Sequence, residues 1–142
     1  MIFLDASAVI AILNREPDSE RLITAIEEAR GQLNISPIST FESVLGLARA
    51  RIGAPARRST AENLRLATAS VREFIRANDI REISISPEIG QGAILAAATY
   101  GKAVGHPADL NFGDCFAYSC AKALGATLLY KGDDFTKTDL GG

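Results

Sequence analysis

The chain opens on Ile2-Phe3-Leu4, a short apolar run of the kind buried on both sides in a parallel sheet, and Ala6 to Leu13 continues with apolar side chains at helical spacing. Asp5 therefore falls at a strand-to-helix junction. Pro17 and Asp18 open a second helix, in which Leu22, Ile23, Ile26 and Ala29 recur at three- and four-residue steps before Gly31 stops it. Leu33-Asn34-Ile35 reads as a second strand. Ser39 or Thr40 then caps a helix, Ser39-x-x-Glu42 has the form of a capping box, and Leu45, Ala48 and Ile52 follow on one face. Gly53-Ala54-Pro55-Ala56 breaks that helix, and Ser59 opens a long one through Leu64, Val71, Phe74 and Ile75 to Asn78.

Glu82 to Ser86 alternates as a third strand. Ser86-Pro87-Glu88 starts a helix with an apolar face from Ile94, Leu95, Ala97 and Ala98. A loop with Gly101, Gly105 and Pro107 follows, then Asn111 or Gly113 leads into a helix from Phe116 to Leu124 that Gly125 ends, and Ala126 to Tyr130 is the last core strand. Helices alternating with short strands imply an α/β fold around a mostly parallel sheet. No internal repeat or low-complexity tract interrupts it, and the 142 residues suit a single domain spanning 1–142.

Composition adds one asymmetry. From Arg49 to Arg81 there are eight arginines against three acids, a local +5, which leaves −7 for the rest of a chain whose total is −2. An arginine-rich part beside an acidic part suits a protein that holds a cation in one place and a phosphate backbone in another, although a solvated helix face accounts for the charge equally well. Cys115 and Cys120, five apart in one helix, turn to different faces and suit neither a disulfide nor a zinc site. With no secretory n-region and no apolar run long enough to cross a bilayer, the expectation is a cytoplasmic protein without a membrane partner.

The candidate chemistry lies in four acidic sites: Asp5, Glu42, Asp114 and the pair Asp133-Asp134. In open α/β sheets the functional crevice lies beyond the carboxyl ends of the strands, where Asp5 and the Asp133-Asp134 pair belong. Each acid also has a plain structural explanation: Glu42 as a capping-box residue, Asp114 as a first-turn charge whose pKa the helix dipole lowers, the Asp pair as a turn. Their conjunction at one rim favours a site. Gathered carboxylates oppose one another's ionisation unless a cation neutralises them, and oxygen-only ligation selects Mg²⁺ or Mn²⁺ over zinc. A cation held there lowers the pKa of a water and bridges a phosphate oxygen, which suits phosphodiester hydrolysis. Ser7 reads as the cap of the first helix with its hydroxyl near the metal. His106 is the sole histidine, which excludes a His-His acid/base pair, and neither phosphate-cradling glycine motif occurs.

Four segments in order, Phe3-Leu4-Asp5-Ala6-Ser7-Ala8, Ser39-Thr40-Phe41-Glu42, Leu110-Asn111-Phe112-Gly113-Asp114-Cys115-Phe116-Ala117-Tyr118 and Leu129-Tyr130-Lys131-Gly132-Asp133-Asp134-Phe135, resemble the PIN-domain toxins of VapBC toxin–antitoxin systems nearly end to end. The resemblance implies a three-layer α/β/α fold and a Mg²⁺- or Mn²⁺-dependent endoribonuclease that cuts a tRNA or ribosomal RNA, forms a homodimer and is silenced by a VapB antitoxin. It places Asp5 and Asp114 as the metal ligands, Glu42 as the third acid, and Asp133 as the fourth with Asp134 as its alternative. Asp109 is a further candidate, acting through a water. Arg49, Arg51, Arg57 and Arg58 are candidates for holding RNA phosphates, where arginine gives bidentate, salt-sensitive contacts.

Two rivals belong to other classes. A receiver-like phosphoacceptor domain would use an acidic pocket with Lys131 after the last strand, but no aspartate follows the Leu33–Ile35 or Glu82–Ser86 strand candidates. A non-catalytic PIN fold would bind without cutting, and the retained carboxylates speak against it.

Overall fold

The computed structural model describes residues 1–53 and 58–141. In chain order, strands Ile2–Leu4 (β1), Leu33–Ile35 (β2), Arg81–Glu82 (β3) and Thr127–Leu129 (β4) alternate with helices Ala6–Leu13 (α1), Ser19–Glu28 (α2), Pro37–Ile52 (α3), Ala61–Ala77 (α4), Pro87–Tyr100 (α5) and Phe112–Leu124 (α6). The strands form one parallel sheet in the order β3-β2-β1-β4, with Ile2 opposite Leu33 on one side and Thr127 on the other.

The two-residue period of a strand sends neighbouring side chains to opposite faces, and here both faces are covered. Phe3 and Leu128 pack with Ile89, Ala93, Cys120 and Phe135 beneath α5 and α6. Leu4 and Leu129 pack with Val9, Leu22 and Phe74 beneath α1, α2 and α4. This is the three-layer α/β/α arrangement. Asn34 is the polar exception in the sheet, buried between Leu33 and Ile35, and its Nδ2 donates to the Ile2 carbonyl at 3.2 Å. Helix α3 packs against α1, α4 and α6, so it joins the two helical layers.

Several local expectations shift. Helix α3 begins at Pro37 rather than after Ser39, because proline fixes the first-turn φ and Ser36 supplies the cap, its Oγ accepting from the Ser39 N–H at 3.1 Å. Glu42 thereby moves from the capping position into the second turn. The buried face of α3 runs through Thr40, Ser43, Leu47 and Ala48, whereas Leu45 is exposed. Thr60 rather than Ser59 caps α4, in a reciprocal box with Asn63. The third strand stops at Glu82, with one further ladder bond from the Ile83 N–H to the Ile35 carbonyl. The break at Gly53-Ala54-Pro55-Ala56 falls largely outside the described residues, although Gly53, with φ +77°, ends α3 in a conformation that suits glycine.

The apolar face expected of α5 is reversed. Ile89, Ala93 and Ala96 are buried, while Ile94 and Leu95 are 72% and 68% exposed. The reason is close helix approach: a Cβ on Gly92 would collide with the Ser119 hydroxyl of α6, so the face of α5 against α6 is built from small residues. Ser119 Oγ donates to the Ile89 carbonyl at 2.7 Å across that contact. Cys115 and Cys120 are both free, buried thiols. No helix among the described residues is long and apolar enough to cross a membrane.

The start of α3 is directly testable. Ser36→Ala removes the cap and is expected to cost about 1–2 kcal/mol in urea unfolding. Unchanged stability would contradict a helix that begins at Pro37.

Candidate functional site

The strand order reverses direction at β1. The chain leaves β1 through α1 and α2 on one face to reach β2, and arrives at β4, on the other side of β1, from α6 on the opposite face. Where helices diverge to opposite faces of an open α/β sheet, as between β1 and β4, the general rule puts the functional crevice at the carboxyl ends of those strands. Asp5 stands at the end of β1, and the Asp133-Asp134 turn follows β4.

Asp5 is held by the backbone around it. Its N–H donates to the Leu129 carbonyl at 3.0 Å, and its carboxylate caps α1 by accepting from the Ser7 N–H at 3.0 Å. The cap is thus Asp5 and not Ser7, because Asp5 has the extended φ and ψ of a residue preceding a helix. The Ser7 hydroxyl bonds to the Asp5 carboxylate and also accepts from the Lys131 N–H at 3.0 Å, and so ties α1 to the segment that carries Asp133 and Asp134. Asp5 is only 4% exposed. Burial, with Asp134 nearby, raises its pKa against the opposing bonds from Ser7.

Asp114 occupies the third position of α6 and is 8% exposed. It forms a reciprocal box with Asn111: the Asn111 N–H donates to Asp114 Oδ2 at 3.1 Å, and the Asp114 N–H donates to Asn111 Oδ1 at 2.9 Å. The helix dipole was expected to lower its pKa. The value is raised to about 6 instead, because burial, with help from Asp5 and Asp134, outweighs the Asn111 bond and the nearby Lys102.

Glu42, half-buried, reaches the same place from α3, and its pKa is raised to about 7 by burial and then by Asp5 and Asp114. A glycine makes room for it. A Cβ built on Gly113 would overlap the Glu42 carboxylate, so that carboxylate lies directly on the first turn of α6, beside Asp114.

Of the two turn aspartates, Asp134 is the one whose charge bears on the buried acids. It raises the pKa of both Asp5 and Asp114, whereas Asp133 figures in neither, and the Asp133 carbonyl is engaged by the Thr136 N–H and hydroxyl. Asp109 sits in a left-handed turn, φ +55°, and its carboxylate lies 3.8 Å from the ammonium of Lys102, whose charge also bears on Asp114. His106 serves its own loop, its Nδ1 accepting from the Ala108 N–H at 3.0 Å.

The arginines divide. Arg65, Arg72 and Arg76 pair with Glu62, Glu82 and Glu73. Arg51 donates to the Ser70 hydroxyl at 2.8 Å and remains exposed. Arg49 is exposed on α3 seven residues after Glu42, on the same stripe and roughly 10 Å along the axis. Arg58 is exposed, and Arg57 lies outside the described residues.

Among the described residues no Lys, Arg or His forms an ion pair with Asp5, Glu42, Asp114 or Asp134. No group of three or more His, Cys, Asp or Glu side chains among them is arranged to hold a metal ion by itself. The donor set is all oxygen, two of its carboxylates are deeply buried, and their ionisation is opposed by burial and by one another. That fits a small, hard divalent cation, which needs only one or two direct carboxylates and retains water on its other positions. Asp5 and Asp114 are the residues that would hold such a cation, with the Glu42 carboxylate against the first turn of α6 beside Asp114.

The same electrostatics sets a pH dependence. Glu42 and Asp114 keep their protons to about 7 and about 6 in the folded chain, against 4.5 and 3.8 ordinarily. The folded state therefore binds more protons than the unfolded state across that window, and stability falls as pH rises through it. In EDTA the thermal midpoint is expected to drop by roughly 3–8 °C between about pH 5 and pH 8, and Glu42→Gln to flatten that slope. A midpoint of the wild type that rises over the window would contradict the crowding of these carboxylates.

A PIN domain family model matches residues 2–140. The chain is 46% identical over 142 residues to a VapC ribonuclease of Rhizobium meliloti, covering 99% of this chain and 100% of the relative. It is 39% identical to a VapC ribonuclease of Mycobacterium bovis, covering 96% and 94%. It is 36% identical to the ribonuclease VapC of Mycolicibacterium smegmatis, covering 96% and 95%. The match runs the length of the fold and through every acid-bearing segment, and the chain belongs to the PIN-domain family, among its VapC-type members.

Proposed function

We propose that this chain is a Mg²⁺- or Mn²⁺-dependent endoribonuclease, the toxin of a VapBC-type toxin–antitoxin pair acting in the cytoplasm. The observation that carries the reading is that Asp5, Glu42, Asp114 and Asp134, from four separate segments, act on one another at the carboxyl end of β1, with no ion pair to any of them among the described residues. The relatives named as VapC ribonucleases support RNA as the substrate.

In this reading Asp5 and Asp114 hold the divalent cation directly. When bound, the cation neutralises the carboxylates, polarises a phosphate oxygen and makes water a stronger nucleophile. Burial keeps the two aspartates from rotating away, and the Ser7 and Asn111 bonds fix which oxygens face the crevice. Glu42, whose carboxylate lies against the first turn of α6 beside Asp114, is placed to accept the proton of the attacking water. Asp134, exposed at the rim, completes the charge on the side of β4. Arg49, Arg51 and Arg58 offer exposed guanidinium groups for the phosphates flanking the cut, in a tRNA or ribosomal RNA, and Arg57 is a further candidate from the sequence alone.

A VapB-type antitoxin would silence the site by placing a basic side chain among the same acids, in competition with the cation. The exposed apolar side chains Ile94, Leu95 and Phe112 support a homodimer formed through the α5 and α6 side. A phosphoacceptor role is not favoured, because Lys131 pairs with Glu16.

Purified protein with labelled RNA in Mg²⁺, Mn²⁺ or EDTA tests the reading. Cleavage is expected only with the cations, Asp5→Asn and Asp114→Asn each to lower the rate by at least about 100-fold, and Asp134→Asn to cost far more than Asp133→Asn. Cleavage in EDTA, or undiminished cleavage by the first two variants, would refute it.

A further inference from the structure

Asp134 sits in a stretch without regular secondary structure after β4, yet it acts electrostatically on two buried aspartates. Something must hold that stretch in place. On its upstream side the Lys131 N–H is bound to Ser7 at 3.0 Å and the Lys131 ammonium to Glu16, which fixes it to α1. On its downstream side the fixing group is Asp139.

The Asp139 carboxylate receives three donors. The Tyr118 hydroxyl donates to Oδ1 at 2.5 Å, the Lys122 ammonium to Oδ2 at 2.8 Å, and the Tyr100 hydroxyl lies 3.5 Å from Oδ1. Lys122 and Tyr118 together hold the Asp139 carboxyl below its ordinary value. Tyr118 and Lys122 lie four and eight residues after Asp114 on α6, on one stripe of that helix. The helix that carries one acid of the site thus also grips the segment that carries another.

The intervening residues transmit this grip. Phe135 is fully buried, with its ring 5.0 Å from that of Tyr130. The Thr138 hydroxyl donates to the Phe135 carbonyl at 2.8 Å, and the Thr136 hydroxyl to the Asp133 carbonyl at 2.8 Å. From Asp139 back to Asp133 the chain is a run of hydrogen-bonded turns around one core aromatic.

We propose that Asp139 is a positioning residue for the acidic site. Its contact with Tyr118 and Lys122 locks the Asp134 turn to α6 and so sets the distance of the Asp134 carboxylate from Asp5 and Asp114, and with it the affinity for a divalent cation. Asp139 acts only through Asp134. The proposal rests on the metal-site reading above, and its test separates the two.

The test is Mn²⁺ binding by the full chain without RNA, followed by the electron paramagnetic resonance of free Mn²⁺, with a thermal melt of each variant. Asp139→Ala is expected to weaken Mn²⁺ binding by about tenfold, as loss of a group that orients metal ligands does, and Tyr118→Phe to weaken it in the same direction. In an Asp134→Asn background, Asp139→Ala is expected to add less than about twofold, because the two act as one unit. Wild-type affinity in both Asp139→Ala and Tyr118→Phe would overturn the positioning role alone, as would losses that multiply in the double variant. A wild-type chain that binds no Mn²⁺ would overturn the metal-site reading and the positioning role with it.

Discussion

A carboxylate buried at the end of the central strand is the constraint around which this structure is arranged. Asp5 is 4% exposed, and burial opposes its charge. The fold tolerates it because the first N–H groups of α1 need an acceptor, and Asp5 supplies one to Ser7. That cap satisfies only part of the group. Asp114 and Glu42 share the same difficulty, and Asp5 worsens it for both, while Asp134 adds its charge to Asp5 and Asp114. Three acids whose ionisation is opposed by burial and by neighbouring carboxylates, with a fourth carboxylate at the rim, make a poor stabilising cluster and a good place for a divalent cation.

The packing around them keeps the acids close. Two parallel strands with helices diverging to opposite faces create the crevice, and α3, which touches both helical layers, brings Glu42 into it from the side. Gly113 then matters for the space it leaves, since any side chain there would displace the Glu42 carboxylate. A second close approach, between Gly92 and Ser119, seats α5 tightly on α6 and steadies the helix that presents Asp114. Stability is given up locally at the acids and recovered in the two apolar layers on either side of the sheet.

Much of this was legible in the sequence because it depends on local patterns. The apolar triplets of β1 and β2, the spacing in α2 and the glycine that ends α6 all report elements whose own residues decide them. The misreadings arose where partners decide. Ser39-x-x-Glu42 has the form of a capping box, but Ser36 and Pro37 start the helix earlier, which frees Glu42 for the crevice. The large apolar residues of α5 look like its buried face, yet α6 comes too close to admit them. Asp133 and Asp134 cannot be told apart by a string of letters, since the turn alone decides which carboxylate faces Asp5 and Asp114. The dipole argument for Asp114 failed for a similar reason: a helix N-terminus is read from the sequence, but burial beside two other acids is not.

The central claim is that these carboxylates share one divalent cation. Crystals of the protein grown with Mn²⁺ and measured for anomalous scattering test it without reference to RNA. The account predicts a peak between the carboxylates of Asp5 and Asp114, with those of Glu42 and Asp134 turned towards it. Mn²⁺ bound elsewhere with that position empty, or Asp5 and Asp114 with no ion between them at saturating Mn²⁺, would contradict it.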